Sequence, residues 1–173
     1  MKAPIPNIAV LCILALIWGS SFILMKEGLY VFNQWQVAAL RISIAGLVLI
    51  PFVRWKAVKI ARKDWPMFFV SGLLGNFIPA FLFTAAQTRI SSSLSGALNS
   101  LTPLFVLIVG LVFMGVKFNK FKLYGVLLGL AGALLLIFSR GLETDSTDLS
   151  YSMLVVLASM CYGTNVNIIK YRL

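Results

Sequence analysis

Four polar side chains, Ser92, Ser95, Asn99 and Thr102, follow one another at steps of three and four residues. On a helix that spacing gathers them into one stripe. Hydroxyls and a carboxamide supply hydrogen-bond donors and acceptors, but no strong acid, base or metal ligand. Their chemistry is recognition of a polar solute; the plainer alternative is that they bond their own helix or hold neighbouring helices together. Trp18, Ser20 and Ser21 form a second group, and Asn76 stands alone in a third apolar stretch. Two cations, Lys26 and Arg41, complete the inventory, with Glu27 beside the first. They could meet carboxylates or phosphates, or they could snorkel, with Arg41 paired to Glu27.

Little else could react. There is no histidine, and Cys12 and Cys161 are the only cysteines. Neither has a partner at metal-ligand spacing, and both read as small buried hydrophobes. A membrane-embedded enzyme would need a nucleophile with its base, or a metal site, and the chain supplies neither. No enzyme activity and no cofactor are therefore expected. The glycine-lysine-serine loop of nucleotide-driven machines is missing too. Glu27, near the end of an apolar run, is the only carboxylate inside one, so proton coupling has weak support.

The elements that carry these residues are apolar. Hydrophobic side chains make up 60% of 173 residues and charged ones 12%. A soluble chain of this length has too much surface to hide that much hydrocarbon. The net charge of +10 is spread in short runs between long apolar segments, a membrane pattern, and nucleic-acid binding is excluded. Crossing a hydrocarbon core takes about 20 apolar residues as helix. Six runs qualify, at 7–29, 35–53, 65–86, 90–116, 121–139 and 149–169. The uncharged stretch 3–25 exceeds a signal-peptide core of about 7–15 residues, so the first run is read as a retained span. The expected fold is an all-α integral membrane bundle of six helices, with the lipid bilayer as its surroundings.

Orientation follows from the loops. Lys2, Arg54, Lys56, Lys59, Arg62, Lys63, Lys117, Lys120, Lys122, Lys170 and Arg172 all fall on one side. Arg89 and Arg140 lie opposite, with Glu143, Asp145 and Asp148. Positive loops stay inside, which predicts a multi-pass protein of the cell membrane with a cytoplasmic N-terminus. Trp35, Trp55 and Trp65 fall near the expected interfaces. Pro79 and Pro103, each lacking an amide proton, should kink the third and fourth spans. Gly125, Gly129 and Ala133 recur every four residues and predict a close-packing face.

An internal similarity appears at an offset of 144 (162 − 18). Trp18-Gly19-Ser20-Ser21-Phe22 aligns with Tyr162-Gly163-Thr164-Asn165-Val166, and Lys26 with Lys170. Five spans separate the two starts, so the second copy would enter the membrane from the opposite face. Such inverted repeats build many secondary transporters, with sites near the bilayer midplane. Only one helix of a second copy is present, and the chain reads as incomplete.

Further residues carry a family resemblance. Trp18-Gly19-Ser20 followed by Lys26-Glu27-Gly28-Leu29, Arg41 early in the second span, and the run from Ser91 through Asn99 and Pro103 to Phe105 stand in order. With the glycine-rich stretch from Gly125 to Ala133, they make the chain resemble the EamA-type members of the drug/metabolite transporter superfamily. Those proteins look like two five-helix halves related by an inverted repeat. The resemblance implies a five-helix unit over 1–139, followed by an outer loop and the first helix of a second repeat over 140–173. It implies a carrier of small metabolites or amphiphilic compounds that works by alternating access; the substrate's identity stays open. The alternative is a non-transporting remnant or an assembly partner, with a homodimer or a missing second half completing the structure. Depth, stripe and charge nominate Trp18, Ser21, Arg41, Asn76, Ser95, Asn99 and Thr102 for the substrate path. One departure is that the family's glycine-glutamate pair near the end of the fourth span is here Gly115-Val116.

Overall fold

The computed structural model describes residues 5–53, 61–116, 120–139 and 146–172. Its helices are α1 (Ile5–Gly28), α2 (Gln34–Leu49), α3 (Trp65–Gly72), α4 (Ile78–Gln87), α5 (Ser92–Asn99), α6 (Thr102–Phe113), α7 (Lys120–Ser139) and α8 (Ser146–Tyr171). Among the described residues, five stretches are long and apolar enough to cross a membrane: Ile8–Gly28, Gln34–Phe52, Arg62–Gln87, Ser92–Phe113 and Leu149–Arg172. The remaining one, α7, runs for 20 residues, about 30 Å of helix, which also matches a bilayer core. The protein is an all-α, multi-pass membrane protein. Lys2, Arg54, Trp55, Lys56, Lys59, Lys117, Arg140, Glu143 and Asp145 lie outside the described residues, as do the side chains of Lys122, Ala133 and Asp148.

Local chemistry sets the helix ends. Asn33 caps α2 in a reciprocal box with Gln36, each side chain bonding the other's backbone amide, at 2.9 and 3.1 Å. Ser91 opens α5 by accepting the Leu94 amide at 3.2 Å. Gly115 ends the fourth span in the left-handed region, at φ +62°. The Val116 amide then returns to the Gly110 carbonyl at 3.0 Å. Glycine is favoured in that conformation because it has no Cβ to clash.

Both prolines fall at irregularities. The third span carries a π-helical turn, Leu73–Phe77, just before Pro79, and the Ile78 amide bonds five residues back to Leu73. The fourth is broken at Ser100 and Leu101, just ahead of Pro103, and both amides make three-residue bonds to Ala97 and Leu98. In each case the helix rearranges where proline removes a donor.

Contacts give the topology. Phe22 near the end of α1 meets Ser92 and Gly96 at the start of α5. Lys26 meets the end of α4. Moving up α8, Ser159 contacts Leu98, Gly163 contacts Phe105, and Asn167 contacts Val106 and Gly110. The fourth span and α8 are therefore parallel. Tyr162 stacks near Phe83 while the later Asn165 reaches back to Ser71, so the third span runs antiparallel to α8. Arg62, Lys63, Lys120, Lys170 and Arg172 consequently share one end of the bundle.

The core lies around α8, where Val155 and Ala158 pack with Met25, Val37, Phe83, Ala86 and Ile90. Apolar side chains of α1 and α2 are mostly exposed, as suits helices whose outer faces meet lipid. Cys12 is among the exposed residues of α1 and Cys161 is half-buried; both thiols are free. The expectation of two buried cysteines thus fails, because in lipid a small apolar side chain gains nothing from facing inward.

Candidate functional site

A seam of polar contacts runs along the second half of α8. Asn165 accepts a hydrogen bond from the Ser71 hydroxyl at 2.7 Å. Its amide lies over Gly75 so closely that a Cβ there would overlap it. Gly75 belongs to the π turn, and such turns recur at functional positions in helices. Two residues further on, about half a turn round the helix, Asn167 is buried and its amide nitrogen donates to the carbonyls of Val106 and Gly163, both at 2.9 Å. Gly163 itself sits directly on α6. A Cβ there would lie 2.6 Å from the Phe105 Cβ and 2.9 Å from its carbonyl carbon.

The fourth-span stripe divides where the helix breaks. Ser92 leaves it to donate to the Phe22 carbonyl at 3.0 Å. Ser95 is fully buried, and its hydroxyl has no partner among the described residues. Beyond it, the Thr102 hydroxyl donates to the Asn99 carboxamide oxygen across the break, at 3.2 Å. A buried hydroxyl without a bond costs about 1–3 kcal/mol. Ser95 is therefore held in a state that a polar group reaching it would relieve.

The cations behave differently from one another. Lys26 is half-buried and its ammonium donates to the carbonyls of Gln87 and Ile90, at 2.6 and 3.2 Å. A cation there satisfies the bare carbonyls that close α4. That is a structural bond, and it ties α1 to the α4–α5 turn. Arg41 is exposed and sets one guanidinium nitrogen 3.9 Å from the Met25 sulfur. It also lies close enough to the Tyr162 hydroxyl to act on it electrostatically. Among the described residues the pairing of Arg41 with Glu27 is not formed; the carboxylate at the end of α1 and the guanidinium two turns into α2 do not meet.

The nominated residues are not gathered into one pocket. Asn99 and Thr102 are bonded together, and Ser95 lies one turn before them. Ser21 is half-buried beside the α1–α5 contact, Arg41 faces α8, and Trp18 and Asn76 are exposed. Ser20 and Thr164 bond back into their own helices, to Ile17 and Met160. Of the expected close-packing face of Gly125, Gly129 and Ala133, the last lies outside the described side chains, and the two glycines do not form it: a Cβ at either would meet no described residue within 4 Å, and both border a cavity of about 530 Å³ between α6, α7 and α8. Close approach occurs instead at Gly75, Gly110 and Gly163.

Sequence reasoning missed Ser71, Gln87, Ser159, Asn165 and Asn167. A signal did exist in α8. Ser152, Ser159, Gly163 and Asn167 are separated by seven, four and four residues, the stripe that small and polar residues make where membrane helices meet. Gln87 gave no such signal; its carboxamide is fully buried, and neither atom has a hydrogen-bond partner among the described residues. Among the described residues, no group of three or more His, Cys, Asp or Glu could hold a metal ion.

Residues 6–138 match the model of the EamA-like transporter family. A WAT1-related protein of Arabidopsis thaliana is 34% identical over 161 residues, covering 83% of this chain and 42% of its own length. The uncharacterized transporter YoaV of Bacillus subtilis is 25% identical over 150 residues, covering 86% of this chain and 51% of itself. An uncharacterized transporter of Archaeoglobus fulgidus is 27% identical over 156 residues, covering 90% and 55%. The chain thus spans about half the length of these relatives. No solved structure matches it significantly. A family match that runs from the start of α1 into the end of α7 takes in all five spans before α8, and the chain belongs to the EamA-like transporter family.

Proposed function

We propose that this chain supplies one five-helix repeat, residues 1–139, and the first helix of an inverted second repeat, residues 140–173, to a secondary transporter of the cell membrane. Its cargo would be small metabolites or amphiphilic compounds, carried by alternating access, with the N-terminus in the cytoplasm. The observation that carries this reading is the seam: a π turn in the third span and a break in the fourth both face α8, and each is bridged by a carboxamide, Asn165 and Asn99. Helices interrupted near mid-membrane are where transporters of this kind build their sites. The transporter names of relatives point the same way. In this reading Ser21, Ser95, Asn99 and Thr102 line the path with Asn165, while Trp18, Arg41 and Asn76 border it. Arg62, Lys63, Lys120, Lys170 and Arg172 mark the cytoplasmic end.

The test is uptake into vesicles containing the protein, screened over amino acids and amphiphilic amines. Asn99→Ala and Asn165→Ala should each slow transport about tenfold while leaving the amount inserted unchanged. The figure corresponds to losing one charge-free hydrogen bond to the cargo, about 1.4 kcal/mol. Parent-like rates in both would remove the seam from the path. Tags at either end of the bundle that proved equally accessible from outside would overturn the orientation.

A further inference from the structure

None of the side chains assigned to the proposed transport path lines the cavity between α6, α7 and α8, although its inner end reaches the fourth-span break. It is lined by Pro103, Val106, Gly110, Gly125, Gly129 and Val166, with Ser100 at its inner end and Lys170 and Tyr171 at its mouth. From Ser100 to Gly110 it follows α6 for about 15 Å, from mid-bundle toward the basic end. Its opening is made by missing side chains. Gly125 and Gly129 are exposed, and among the described residues neither would meet another atom within 4 Å if it carried a Cβ.

The polar atoms along its wall are largely satisfied. The Ser100 hydroxyl donates to the Ala97 carbonyl, and the Asn167 amide nitrogen donates twice, to Val106 and Gly163. Such a wall has little to offer water or a polar cargo. At the mouth the chemistry changes, because Lys170 stands there with its ammonium 4.9 Å from the Tyr171 ring centre. Lys120, at the start of α7, and Arg172 are at the same end and exposed.

We propose that this groove is a binding site for an anionic phospholipid, with one acyl chain between α6, α7 and α8 and the phosphate held at Lys170. Apolar space left unfilled inside a bilayer forfeits dispersion contacts along its whole lining, and an acyl chain is the apolar filler at hand. Chain filling alone gives no preference among lipids, since every tail is equally apolar. The selectivity comes from the cation at headgroup level.

The experiment uses the purified full chain in nanodiscs containing phosphatidylglycerol or phosphatidylcholine with a photoreactive group near the acyl terminus. Mass spectrometry then locates the adducts. The expected result is phosphatidylglycerol labelling concentrated on α6, α7 and α8. Lys170→Gln should lower it about fivefold, the effect of one cation at the membrane surface, and leave phosphatidylcholine labelling unchanged. Gly129→Phe, which fills the groove, should lower it at least tenfold. Labelling spread evenly onto α1 and α2, or equal for both lipids and unchanged in Lys170→Gln, would overturn the proposal whether or not Gly129→Phe folds. Disulfide-linked dimers formed by Gly129→Cys would overturn it as well, by assigning the groove to a second copy.

Discussion

α1 and α8 carry the same short pattern in opposite surroundings. On α1, Trp18 is 61% exposed and Gly19 has open space beside it. On α8, Tyr162 packs near Phe83 and Gly163 is pressed against the backbone of α6. The aromatic-glycine-hydroxyl pattern therefore does not decide which helix goes inside. The remainder of each helix does. Where α8 has Ser152, Ser159, Gly163 and Asn167, the equivalent positions of α1, 144 earlier, are Ile8, Ala15, Gly19 and Ile23. Small residues let backbones approach, and a carboxamide finds carbonyls on the neighbour; two isoleucines do neither better than a lipid tail does.

Substitutions can break this contrast or sharpen it. Gly163→Ala carries the largest expected effect, a loss of about 2–3 kcal/mol in unfolding from detergent, because the new methyl would meet backbone atoms of α6. Gly19→Ala should leave stability unchanged or raise it by up to about 1 kcal/mol, alanine being the better helix former. Equal responses at the two glycines would erase the distinction. Asn167→Ala comes next, at about 1 kcal/mol for two interhelical and intrahelical bonds in a membrane setting. Its counterpart Ile23→Ala should cost less than half that in the same assay. Lys26→Met removes the bonds that hold α1 to the end of α4 and should lower stability by about 0.5 kcal/mol. Protease cutting in the 29–33 turn should rise with it. Ser20→Ala, which loses only a bond to its own helix, should be silent within about 0.5 kcal/mol.

The spans were legible because the bilayer sets a length that few other structures need, and all six runs fold as helices within a few residues of their expected bounds. The proline positions were legible as well, though not their form. Nothing at Pro79 distinguishes a π turn from a simple kink, and nothing at Pro103 announces a clean break at Ser100. The site was read less well. The fourth-span stripe is a true helical spacing, yet its members meet different partners: Ser92 bonds the Phe22 carbonyl, Ser95 has no partner among the described residues, and Asn99 and Thr102 bond each other across the break. Lys26, at the end of the first span, and Arg41, two turns inside the second, were both open to anion recognition or to snorkelling, and only Arg41 was nominated for the path. Only the fold tells that one faces bare carbonyls and the other a tyrosine. Glycine spacing misled most: the regular repeat in α7 borders open space, while the irregular Gly75, Gly110 and Gly163 mark the tight crossings.

The position of α8 bears on how the protein is made. Of the described helices it is the last to leave the ribosome, yet Val155 and Ala158 complete the cluster that includes Phe83 and Ala86. The five earlier spans must therefore enter the bilayer and wait there with that slot open. Hydrocarbon makes the wait tolerable, since tails solvate an unpaired apolar face as well as a neighbouring helix would. Among the described helices α8 then inserts into the middle of the bundle after the five spans around it, and their order of synthesis runs opposite to the order from core to rim.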